Sequence, residues 1–112
     1  MKTLLTLLTC LFILSPNVVL SETIEDLVQR EGIYYKKFSD VPFTGKTTGE
    51  TQETYRNGKM HGLWVSYWAN GQLMGKGNWK DGKKDGLWFI YNRDGTVDEK
   101  YTGTFKNGVK VK

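Results

Sequence analysis

Chemistry in this chain of 112 residues would have to begin from one histidine, His61, one cysteine, Cys10, and a set of carboxylates near candidate turns. His61 could act as a general base, but it sits between Gly58 and Gly62, and a matching stretch 24 residues later carries Asp85 at the same place. A base that one copy dispenses with reads as a turn residue, because loop positions vary freely. Ser66 has Ile90 as its counterpart and no base beside it in sequence. One histidine cannot supply the nitrogen and sulfur set of a zinc site. Asp81, Asp85, Asp94, Asp98 and Glu99 could offer oxygen to calcium, although solvated turn acids account for them equally. No catalytic, cofactor-binding or metal-ligating residue is therefore assigned, and the chain reads as a non-enzyme.

Recognition is the better prospect. Trp64, Trp68 and Trp88, with Met74 and Ile90, are expected on the sheet face opposite Tyr67 and Tyr91. Such a row has two readings. Aromatic pairs across strands stabilise a sheet by about 0.2–1 kcal/mol each, and an exposed apolar row on a rigid sheet marks a binding surface. Trp64 and Trp88 recur with the repeat described below, which favours packing. Trp68 is replaced by Asn92 in the second copy, which favours a partner contact. A stripe of Lys59, Lys80, Lys83 and Lys84 offers a second surface, for anionic phospholipid or wall polysaccharide. Lysine also blunts exposed strand edges.

The elements that must position these residues are written twice. Residues 57–71, NGKMHGLWVSYWANG, and 81–95, DGKKDGLWFIYNRDG, share Gly58/Gly82, Gly62/Gly86, Tyr67/Tyr91 and Gly71/Gly95. Repetition at a period of this size signals stacked supersecondary units. Asn57-Gly58, Asn70-Gly71, Asp81-Gly82, Asp94-Gly95 and Asn107-Gly108 supply dipeptides that accept the positive φ angles of tight hairpin turns. Apolar residues alternate between them. Gly75 and Gly77, in mid-strand, would leave slots for aromatic rings, expected to be those of Tyr67 and Tyr91. Two additional residues near Asp98 and Glu99 should leave side-chain parity unchanged. A worn copy, Gly32-Ile33-Tyr34 to Phe43-x-Gly45-Lys46, precedes these units.

The expected fold is all-β: a single curved antiparallel sheet of stacked hairpins over 33–112, in units 33–56, 57–80 and 81–108. Residues 22–32 read as a short helical cap, since Ile24, Leu27 and Val28 share a helical face, Thr23 and Asp26 have capping-box spacing and Gly32 stops the run. Residues 1–21 read as a secretory signal peptide: Lys2, an apolar run from Leu4 to Leu14, then Pro16 and Val19-Leu20-Ser21. The run is too short for a spanning helix. The chain is thus expected to be exported, to a periplasm or beyond the cell, and without a cysteine after residue 21 its stability must come from packing rather than disulfides. Net charge falls from +4 to +3 when Lys2 is removed. No basic cluster points to nucleic acid, and Lys106, Lys110 and Lys112 favour a monomer over edge pairing into a homo-oligomer.

The unit Asn-Gly-Lys-x-x-Gly-Leu-Trp-x-x-Tyr-x-x-Asn-Gly resembles the MORN-repeat variant of bacterial proteins commonly grouped as YwqK-type antitoxins of toxin–antitoxin systems. Tyr34-Tyr35-Lys36-Lys37-Phe38 through Lys46 is similar to the segment that precedes those repeats. The resemblance covers about residues 32–108. It implies stacked hairpins, no catalytic residues, and a protein partner, a toxin in the antitoxin grouping. An exported antitoxin would require an envelope-acting toxin.

Overall fold

The structure is a computed structural model and describes residues 22–112. The expected signal peptide and Cys10 lie outside the described residues. Among those described, the fold is all-β and every named ladder is antiparallel.

Its strands are β1 (Leu27–Arg30), β2 (Ile33–Lys36), β3 (Gly45–Lys46), β4 (Thr51–Gln52), β5 (Thr54–Arg56), β6 (Lys59–Met60), β7 (Gly62–Tyr67), β8 (Leu73–Lys80), β9 (Lys83–Ile90), β10 (Gly103–Lys106) and β11 (Val109–Lys110). They form three ladders, β1-β2, β3-β5-β6 and β11-β10-β9-β8-β7-β4, rather than the single sheet expected. Glu53 is one cause of the division. Its N–H turns to the Thr47 hydroxyl at 2.8 Å, while its carbonyl accepts from Thr47 N–H, so pairing is interrupted between β4 and β5. The ladders stay joined where His61 N–H donates to Thr54 C=O at 2.8 Å and the Thr54 hydroxyl donates to Leu63 C=O at 3.0 Å.

The expected N-terminal helix is also corrected. Ile24–Asp26 form one 3-10 turn, capped by Thr23 and Asp26, and Leu27 onward is strand. A helix of two turns gains too few hydrogen bonds to offset nucleation. Glu31 and Gly32 instead adopt φ 52° and 81° and close a hairpin that pairs Arg30 with Ile33. That backbone ladder outcompetes the isolated helix.

Asx-Gly dipeptides are used in two ways. Asn57, Asp81 and Asn107 have φ near 50° and join β5-β6, β8-β9 and β10-β11 through two-residue turns. At 70–71 and 94–95 only the glycine has positive φ. There the Asx side chain accepts from a backbone N–H two residues on, Asn70 from Gln72 at 2.9 Å and Asp94 from Thr96 at 3.0 Å. This local bond holds a wider turn, closed by Trp68 N–H to Gln72 C=O and by Asn92 N–H to Thr96 C=O, each 2.8 Å.

The two residues inserted near Asp98 do not continue the strand. Val97 makes only an isolated bridge to Tyr91, and Thr102 folds back to bond both the N–H and the C=O of Ile90. Val97 and Tyr101 are left exposed, while Phe105 is buried. The insertion is absorbed as a loop, so parity does not carry across it.

Two aromatic clusters form the core. Tyr34, Phe43 and Tyr55 meet with centroids 5.2 and 5.5 Å apart. Trp64, Trp79 and Phe105 surround Trp88 at 5.2, 5.2 and 6.5 Å. Tyr55 also donates to the Glu53 carboxylate, and burial with that neighbour pushes its phenol far above the usual range.

Candidate functional site

Register decides where the expected binding residues go. Trp64 lies opposite Gly77, Gly75 opposite Ser66 and Ile90, and Gly103 opposite Trp88. A Cβ on Gly77 would stand 2.2 Å from the Trp88 ring, and one on Gly75 would stand 2.6 Å from Ile90 and 3.0 Å from Trp64. The glycine slots therefore hold Trp64, Trp88 and Ile90, not Tyr67 and Tyr91 as expected. Trp88 is 2 % exposed, its Nε1 donates to Asn78 C=O at 2.9 Å, and Lys84 Nζ lies 4.8 Å over its ring. Trp88 is thus core and unavailable to a partner. Half-buried Trp64 and Ile90 pack in the same layer. Ser66, 1 % exposed, bonds Thr51 Oγ1 at 2.8 Å.

The other two expected residues, Trp68 and Met74, are brought together elsewhere. A register shift between Ser66 and Tyr67 releases the end of β7 from strict alternation. Trp68, Met74, Tyr67, Glu50, Asn70 and Arg93 then line one open cleft of about 440 Å³. Trp68 Nε1 donates to Tyr91 C=O at 3.1 Å, and Asn70 Nδ2 donates to Arg93 C=O at 3.0 Å. The Arg93 guanidinium lies 5.1 Å over the Trp68 ring. Indole, thioether, phenol, carboxylate, amide and guanidinium thus converge at one sheet end. Tryptophan, tyrosine, methionine and arginine are enriched where proteins meet.

A second cleft, of about 300 Å³, gathers Lys59, Lys80, Lys83 and Lys84 with Asp81, Asp85 and Asn107. Asp81 is engaged by Arg56 at 3.2 Å. Among the described residues none of the four lysines has a carboxylate within ion-pair distance. His61, considered as a base in sequence, accepts the Asp81 N–H at 3.2 Å and serves to tie the 81–82 turn to the preceding hairpin.

Sequence reasoning missed Trp79 and Phe105 as core. Counted from the turn glycines, Phe105 occupies the place of Trp79, each three residues before the next Gly82 or Gly108. That spacing was a usable signal. Arg93 had none, since its counterpart is Ala69 and its stacking depends on the separation of the two turns in space.

Comparison with protein families, with characterised proteins and with solved structures finds no match for this chain.

Proposed function

We propose that this chain is an exported, non-enzymatic interaction module built from stacked MORN-like β-hairpins, and that it binds a protein partner through the Trp68 cleft. The supporting observation is internal to the chain. The second unit closes the same turn, with the same pair of backbone hydrogen bonds, using Asn92 where the first has Trp68. The turn does not require the indole; Trp68 Nε1 also ties to Tyr91 C=O, but its ring and Met74 stay half-exposed, as a partner contact would use them. The sequence resemblance makes a toxin the candidate partner and the role antitoxin-like or immunity-like.

Capture by crosslinking in the envelope of the native host, with Trp68→Ala alongside, tests this reading. The expected result is one protein enriched with wild type and lost with Trp68→Ala, while far-UV circular dichroism is unchanged. Equal recovery with both proteins would overturn it.

A second reading has its own support in the four lysines without carboxylate partners. An anionic phospholipid or wall-polymer surface would meet them, and binding would weaken with salt. Cosedimentation with anionic vesicles, lost on Lys80→Glu with Lys83→Glu, is the corresponding measurement.

A further inference from the structure

We infer that copies of this chain associate head to tail, the 31–32 turn of one copy seating on the β11 edge of the next. Inside the molecule, two of the three later tight turns dock on the preceding hairpin through their glycine N–H; at the third, Gly58 donates instead to Phe43 C=O at 2.8 Å and its carbonyl accepts from Tyr34 N–H. Gly82 N–H donates to Met60 C=O at 2.8 Å, and Gly108 N–H donates to Lys84 C=O at 3.0 Å. Met60 and Lys84 each lie two residues beyond the previous turn glycine, Gly58 or Gly82. After a two-residue turn the first strand residue pairs inward, and the second points its N–H and C=O outward.

Lys110 occupies that second place after Gly108, opposite Phe105, on a strand that among the described residues pairs with β10 alone. It is the next acceptor in the series. At the other end Gly32, with φ 81°, is exposed and has the turn geometry of Gly58, Gly82 and Gly108. It is the first donor in the series and has no preceding hairpin among the described residues. The two ends therefore match each other through a contact that the fold already repeats.

Charge agrees with this direction. The internal ion pair Arg56–Asp81, at 3.2 Å, joins the residue two before one turn glycine to the residue one before the next. The same places beside the 31–32 turn and on β10 hold Glu31 and Lys106, both exposed. More broadly, residues 22–32 carry Glu25, Asp26 and Glu31, with Glu22 paired to Lys36 at 3.0 Å, against Arg30, whereas residues 103–112 carry Lys106, Lys110 and Lys112 and no acid. Like charge opposes tail-to-tail pairing, as edge lysines do generally. Opposite charge permits head-to-tail pairing, a heterologous contact that leaves a free end at each step.

Sedimentation velocity of the purified protein over a concentration series at low ionic strength tests this. The mean mass should climb without a plateau and fall back as salt shortens the screening length. Glu31→Lys and Lys106→Glu should each weaken association, on the order of tenfold for reversing one edge charge of a docking pair. The double variant, carrying both, should regain it because the pair is merely exchanged; a folding defect could not be rescued in this way. A monomer at every concentration in low salt would overturn the inference. So would a dimer that saturates, or association indifferent to both reversals.

Discussion

Leu87 and Trp88 are neighbours in sequence, yet Leu87 is 61 % exposed and Trp88 is 2 % exposed. Both are strongly apolar, and they differ in what lies across the sheet. On the Trp88 side Gly75 and Gly77 leave room for rings to lie flat, Trp64, Trp79 and Phe105 complete the layer, and Lys84 covers it. On the Leu87 side its β10 partner is Thr104, Lys76 and Asn78 flank the register shift on β8, and Leu63 is exposed as well. This face of the sheet is buried by aromatic rings lying over glycine.

The largest break in that contrast should come from Trp88→Ala. Truncating a buried aromatic costs about 3–5 kcal/mol, read as a lower urea midpoint. Gly77→Ala should follow at about 1–3 kcal/mol, because the new methyl meets the body of an indole that is fixed by its Nε1 bond. Acid should produce a smaller effect. Hydrogen bonds from Thr96 hold Asp94 below the usual carboxylate range, and those from Thr23 do the same for Asp26. Both groups have a depressed folded-state pKa, so their stabilisation is complete above the unfolded value of 3.8 and is lost as pH falls through the folded value. Asp94→Asn should flatten that acid limb, measured as the unfolding midpoint against pH. Leu87→Ser should be smallest, within about 0.5 kcal/mol, as for an exposed substitution. If it rivalled Trp88→Ala, the distinction between the faces would fail.

Much of the architecture was legible. Three of the five Asx-Gly pairs are two-residue hairpin turns, and the 24-residue spacing recurs in the backbone bonds of Tyr67 and Tyr91, of Trp68 and Asn92, and of Gly71 and Gly95. Glu31-Gly32 was overlooked as a turn because glutamate is not a usual left-handed residue, and a capping box stood nearby. The candidate site was half legible. Trp68 stood out by differing from Asn92, but Glu50, Asn70 and Arg93 reach it from separate turns.

Local chemistry therefore determined the turns, the strand alternation and the glycine positions, since each rests on the φ range or side-chain period of a few adjacent residues. Only the tertiary structure decided which rings occupy the glycine slots, and that Trp68 lines a cleft with Met74 and Arg93. Those outcomes depend on cross-strand register and on the shifts at Ser66/Tyr67 and Lys76/Asn78. A shift of one residue exchanges the two faces of a strand, so alternation defines two sets of side chains while pairing between distant strands selects the set that is buried.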